Sequence, residues 1–268
     1  MKLRLSLIVA IVCSLTAASF AQRAWRRHRM IDPNMIDRRG VPEWENDRDF
    51  QNDVFTFVRV KYSSDGWPRW DTDWPDSDLN FPFRLHELTS LEVAPHPKIL
   101  ELTDDKIYDY PFLYLIEPGS MLLSEGEIAG LRRYLLNGGF LMVDDFWGEA
   151  EWYQFYMNIK RVFPDRELVE LPLEHEIFHC VYDLKQKPQI PSIHAWYSGH
   201  TFERWDAQEP HYRALFDDKG RMMAIICHNT DLGDGWEREG EDPGYFREMS
   251  EKWAYPLGIN IVAYAMTH

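Results

Sequence analysis

Three apolar runs in this chain stop abruptly at acidic or metal-competent polar residues. Residues 112–116 stop at Glu117, residues 140–143 at Asp144 and Asp145, and residues 222–227 at His228 and Asn229. Continuous apolar runs of this length, bounded by turn signals, read as strands buried on both faces. Helical patterns lie between them, so the expected sheet is parallel. In such sheets ligands bind just beyond the carboxyl ends of the strands. The polar residues fall there, which defines a fold class and a crevice but no reaction.

A pass along the chain extends this frame. Residues 54–62 (VFTFVRVKY) read as a first strand, rich in β-branched and aromatic residues. Residues 63–80 form a loop dense in Trp, Pro and Asp, followed by a helix over 84–93 and a short strand over 98–102. A central strand spans 111–117. Ser124 with Glu127 makes a capping box, opening a helix whose Ile128, Leu131 and Leu135 share one face. Gly138-Gly139 stops it, and residues 140–145 are the next strand. Trp152, Phe155, Tyr156, Ile159 and Val162 recur at helical spacing until Pro164. Residues 221–227 are a late strand, and 256–266 a last helix, apolar nearly all round and so expected to be buried. The alternation predicts a doubly wound α/β fold with a mostly parallel sheet. The less regular section 167–208 is expected to decorate one edge or to cover the crevice.

The N-terminus reads as a targeting segment. Lys2 and Arg4 precede an apolar stretch over 5–18 and a small-residue site at Ser19-Phe20-Ala21, the pattern of a secretory signal peptide over 1–21. The stretch is short of the ~20 residues that span a membrane, so no transmembrane span is expected after cleavage. The expected location is periplasmic or extracellular. Residues 22–51 read as a basic, disordered leader, with six Arg between 22 and 39; it would touch an anionic surface or stay solvated. Residues 52–268 then form a single domain. The net charge of −15 argues against nucleic acid as a partner, because phosphate binding needs clustered Lys and Arg. Cys180 and Cys227 remain in the mature chain; export permits a disulfide between them, and two buried free thiols are the preferred alternative.

Asp144 and Asp145 could bind a cation, hold sugar hydroxyls or do acid–base work, or one of them could cap the following helix. The stretch 228–237 is the densest polar segment, with His228, Asn229, Asp231 and Asp234. It suits a metal site, a general base or a hydrogen-bonding floor, or else an Asx-turn loop satisfying its own backbone. Together with Glu117 these residues form the candidate ligand-binding floor, and Trp147 and Trp236 its walls. Trp67, Trp70 and Trp74 alternate with Asp65, Asp71, Asp73, Asp76 and Asp78. This resembles a calcium loop without EF-hand spacing, or a carbohydrate platform, or a loop folded over the sheet. His175-Glu176-Ile177-Phe178-His179 matches H-E-x-x-H, the zinc-protease pattern. Pro172 just upstream and the lack of an amphipathic helix favour instead a turn and short helix with Phe178 in the core. No nucleophile elbow and no Gly-rich nucleotide fingerprint appear. No catalytic residue is therefore assigned and no nucleotide cofactor is expected; a divalent metal would fit the acids.

From residue 54 onward the chain resembles a family of exported bacterial proteins, domain of unknown function 4159. The stretches that carry the likeness include WPRWDTDWPDSDLNFPFRLHELTS, YPFLYLIEPG, LSEGEIAGLRRYLLNGGFLMVDDFWG, HNTDLGDGWE and YPLGINIVAYAMTH. The resemblance implies a flavodoxin-like sheet related to class I glutamine amidotransferases and to ThuA-like (trehalose-utilisation) proteins, with no implied activity. After GGFLMV come Asp144-Asp145 where an amidotransferase would carry its catalytic Cys. Three functions are carried forward: binding of a polar or carbohydrate ligand of the cell envelope, metal-assisted hydrolysis by Asp144, Asp145 and His228, and scaffolding of envelope proteins.

Overall fold

The first strand, β1 (Val58–Lys61), places alternate residues on opposite faces of the sheet, and this parity organises the molecule. The computed structural model describes residues 36–47 and 53–268. The expected signal peptide and most of the Arg-rich leader lie outside the described residues. Six more strands follow: β2 (Lys98–Glu101), β3 (Phe112–Ile116), β4 (Phe140–Asp144), β5 (Val169–Glu170), β6 (His211–Phe216) and β7 (Met222–His228). Their order across the sheet is β2-β1-β3-β4-β7-β6-β5. The first five are mutually parallel, and β6 runs antiparallel to both β7 and β5. The fold is thus α/β with a mixed seven-stranded sheet. The antiparallel edge was not expected; it is built from β6 and a two-residue β5 within and just after the section that looked irregular.

Helices cover both faces. On one side α2 (Glu125–Leu136) and α3 (Gly148–Val162) pack through Ile128, Leu131, Leu135, Phe155, Ile159 and Val162 against Val58, Val60, Leu113, Leu115, Val143 and Ile226. On the other lie α1 (Asp76–Leu88), the short α4 (Ile193–Tyr197) and α5 (Leu232–Glu237), and a C-terminal rod. That rod runs from α6 (Pro243–Tyr245) through a π-helical stretch, Phe246–Ala254, into α7 (Tyr255–Thr267). These elements bury Phe57, Phe112, Tyr114, Met142, Ile225 and Cys227. The expected last helix is α7, buried over most of its length. The Ser124–Glu127 capping box forms in both directions.

Two boundaries differ from the sequence reading. The helix expected at 84–93 begins at Asp76 instead and ends at Leu88, while Val93 forms a parallel bridge to Phe55. Pro82 lies inside the helix; its missing N–H makes the sequence look broken there. Residues 38–47, read as leader, lie against the body: Arg38 donates to the Pro95 carbonyl (2.6 Å), and Trp44 Nε1 donates to the Val93 carbonyl (2.7 Å) and stacks on His86. Residues Arg38–His268 form one unit. No helix among the described residues is long and apolar enough to cross a membrane.

Arg59 is fully buried in β1. Its guanidinium donates to both Asp78 oxygens, to Ser77 Oγ and to the carbonyls of Trp70 and Thr72. Burial alone would favour losing the charge, but the Asp78 carboxylate outweighs that and keeps it. Every N–H finds an acceptor, so the ion pair pins the β1–α1 loop onto the end of the sheet.

Candidate functional site

The loops that leave the carboxyl ends of β1, β3, β4 and β7 all carry a non-glycine residue in the left-handed region. They are Asp73 (φ 59°), Glu117 (φ 49°), Asp145 (φ 54°) and Asn229 (φ 61°). Such a conformation costs about 1–3 kcal/mol when the surroundings impose it, and it concentrates at functional sites. It turns the chain sharply at each strand end, and the loops meet over the carboxyl ends of the parallel strands, where the crevice is expected, near the junction of β1 and β3. Chain order reverses there, and open α/β sheets bind ligands at that point.

Carboxylates crowd this crevice. Asp144 is fully buried; its Oδ2 accepts from the amides of Leu232 (2.9 Å) and Gly233 (3.1 Å) and from the Tyr114 hydroxyl (3.1 Å). Burial raises it to about 7 in spite of those donors. Asp145 Oδ1 accepts from Trp147 Nε1 at 3.1 Å. Asp231 caps α5, its Oδ1 accepting from the Asp234 amide at 2.7 Å. Asp234 Oδ2 accepts from the Ile193 amide (3.1 Å), and Oδ1 faces Arg238. Burial first, and repulsion between neighbours second, lift Asp73, Asp145 and Asp231 well above the ordinary carboxylate range. Burial first, then a side-chain hydrogen bond with Asp234 and its charge, raise Glu237 to about 8. Glu117 sits at the rim, accepting from Arg69 and from Thr72 Oγ1 (3.1 Å).

Three groups of carboxylates bring one oxygen from each member within 4.8 Å of one another: Asp73, Asp145 and Asp231; Asp73, Asp234 and Glu237; and Glu203, Asp231 and Asp234. Asp145, Asp231 and Asp234 belong to the expected floor. Glu237 belongs to the polar stretch 228–237 and Asp73 to the acids of the Trp-rich loop, whereas nothing in the sequence reading points to Glu203. The segment before β6 supplies Glu203 and packs against the loop after β7: the Ile190 amide donates to Thr230 Oγ1 (3.0 Å), and Gln189 Nε2 to the Asn229 carbonyl (3.0 Å). The same section also supplies β5, so it decorates one edge of the sheet as expected.

Other expected floor residues are engaged elsewhere. Asp144 shares the sheet face of Phe140 and Met142, whereas His228 shares that of Ala224 and Ile226. Register aligns Val143 with Ile226, so the period of two sends Asp144 and His228 to opposite faces. The His228 ring lies among Phe146, Trp152 and His211, between Arg213 at Nδ1 (3.2 Å) and the Gly148 carbonyl at Nε2 (3.2 Å). Burial lowers its pKa to about 3, so it is neutral, donates to Gly148 and accepts from Arg213. The grouping of Asp144, Asp145 and His228 expected for a metal-assisted site does not form. Asn229 is a clamp, accepting from the Gly148 amide (2.9 Å) and donating to the Glu209 carbonyl (2.9 Å). Trp236 is not a wall but core, stacked on Phe81 at 4.2 Å. Trp147 is buried beside Asp145.

The H-E-x-x-H segment forms a single 3-10 turn, Glu176–Phe178, rather than an α-helix. His175 caps it, while His179 meets Asp183 at Nδ1 and the Leu173 carbonyl at Nε2. The two imidazoles face no common point, and Phe178 is in the core. Cys180 and Cys227 are both free, but only Cys227, within β7, is buried as expected; Cys180 is exposed, its Sγ meeting the Asn260 carbonyl at 3.2 Å.

Layers, strand order and site together define an α/β domain with an acidic crevice at the ends of its parallel strands. The chain belongs to the family described as "Domain of unknown function (DUF4159)", whose model matches residues 56–266. A comparison with curated proteins finds no match.

Proposed function

We propose that this is an exported, amidotransferase-like domain without a catalytic cysteine, and that it binds a hydroxyl-bearing polar ligand, carbohydrate or cell-envelope material, in the acidic crevice. The observation that carries this reading is the convergence of acceptor-rich loops from four strand ends, each turned by a left-handed residue. The parallel strands run in the order β2-β1-β3-β4-β7, which supports a flavodoxin-like fold. Cys227 is an inward-facing core residue whose thiol burial raises, which argues against a thiolate nucleophile at the strand ends. Carboxylate oxygens suit ligand hydroxyls, and exposed indoles suit the faces of sugar rings. Trp67 and Trp205, 68% and 77% exposed, lie on segments flanking the crevice. Trp205 is held between two anchored neighbours, Arg204 paired with Glu151 and Asp206 accepting from the Glu149 amide.

Calorimetric titration with soluble peptidoglycan and polysaccharide fragments tests the reading. Saturable binding by the wild type, weakened in both Asp145→Asn and Trp205→Ala at unchanged melting temperature, is the expected result. No binding to any fragment, or binding indifferent to both substitutions, overturns it. A second reading, a carboxylate-assisted hydrolase, is favoured by the elevated pKa of Asp144 and Glu237, which suits proton transfer near neutrality. Cleavage of a bound fragment, lost in Glu237→Gln while binding persists, would select it.

A further inference from the structure

We propose that Asp73, Asp145 and Asp231 form a site for a hard divalent cation, of the calcium, magnesium or manganese type, in the floor of the crevice. This deepens the reading above and rests on it, since the ion would present the polar ligand's oxygens with a positive centre. Each of the three residues brings a carboxylate oxygen within 4.8 Å of the others. None of them is ion-paired among the described residues. The nearby cations are committed: Arg238 serves Asp234, Glu237 and Glu241, and Arg59 serves Asp78. The two other carboxylate groups both include Asp234, which Arg238 already pairs.

The independent observation is a pair of shielded oxygens without hydrogen-bond partners. Asp73 Oδ2 is closed off from solvent and accepts from nothing; so is Oδ1 of Asp144, whose side chain is fully buried. Buried carboxylate oxygens without donors are costly unless a charge meets them. Gly233 leaves room there: a Cβ at this position would lie 2.5 Å from Asp73 Oδ2, 2.9 Å from the Tyr114 hydroxyl and 3.2 Å from Asp231 Oδ1. The donors are all oxygen, with His228 on the far face of the sheet and no thiol among them. This selects hard cations over zinc or copper.

The test uses purified full-length protein stripped with a chelator, then titrated with calcium, magnesium and manganese by calorimetry and with terbium by luminescence under Trp excitation. One saturable site is expected, with sensitised emission through Trp147, whose Nε1 touches Asp145. Trp147→Phe should lose most of the emission, while calorimetry reads its affinity directly. Asp73→Asn and Asp231→Asn should each weaken binding by at least roughly tenfold. Both should melt no lower than the stripped wild type, because each removes a repelling charge; a purely structural acid would instead lower melting. No saturable site in the wild type, or affinity unchanged in the Asp73→Asn, Asp231→Asn double variant, overturns the inference. Glycan binding that survives chelation overturns it too and leaves the ligand reading intact. Cation binding without any glycan binding does the reverse.

Discussion

His228 ends β7 on the face away from the carboxylates, in a cage of rings closed by Arg213 and the Gly148 carbonyl. Its pKa, about 3, is depressed by burial and lies below the ordinary value near 6.5. The folded protein therefore binds fewer protons there than the unfolded chain between those limits. The stability His228 contributes is complete above about pH 6.5 and is lost as pH falls toward 3, up to about 5 kcal/mol for the full shift. Urea unfolding at several pH values should show the gap between wild type and His228→Phe narrowing as pH drops from 7 to 4. A constant gap would mean that the ring titrates alike in the folded and unfolded chain. The residue type was legible as significant; its face was not argued from parity, although the register of two was available in the run 222–228. Glu203 escaped, and Asp73 read only with the acids of its own loop, because each is separated in sequence from the carboxylates it meets. The available signal was Arg59, a charge inside an apolar strand, which needs a buried acid and holds the Asp73 loop.

At the scale of elements, the central strands and α2 follow from local pattern, because apolar runs and a capping box depend on near neighbours. The antiparallel edge does not follow. A two-residue β5 has no periodicity to read, and it exists only because β6 offers an edge. The H-E-x-x-H turn is likewise set by its dock on α7. Buried Asn260 accepts from the Val181 and Tyr182 amides at 3.1 and 2.7 Å and donates to the Tyr182 carbonyl at 2.8 Å. Asn260→Leu keeps the bulk but strands these groups, and should cost about 1–3 kcal/mol. Chemical denaturation measures the loss. Hydrogen exchange at the amides of Val181 and Tyr182 should accelerate while that of β3 and β4 is unchanged; uniform acceleration would show that Asn260 supports the whole fold instead.

For the whole molecule, a net charge of −15 with acids gathered at one crevice implies self-repulsion in the folded state. Raising sodium chloride from about 0.01 to about 0.15 M shortens the screening length from ~30 to ~8 Å, so the melting temperature of chelated protein should rise. A fall would mean that surface ion pairs such as Lys61–Glu101 outweigh the repulsion. The sequence by itself determined the α/β class, the parallel centre and the end of the sheet where polar residues collect. Hydrophobic periodicity and capping act over a few residues and need no partner. Only the tertiary structure decided which acids meet. Strand pairing sent Asp144 and His228 to opposite faces, the Arg59–Asp78 pair brought Asp73 to the crevice, and the loop after β7 drew in Glu203. Those juxtapositions join different segments of the chain, and no local pattern encodes the distance between them.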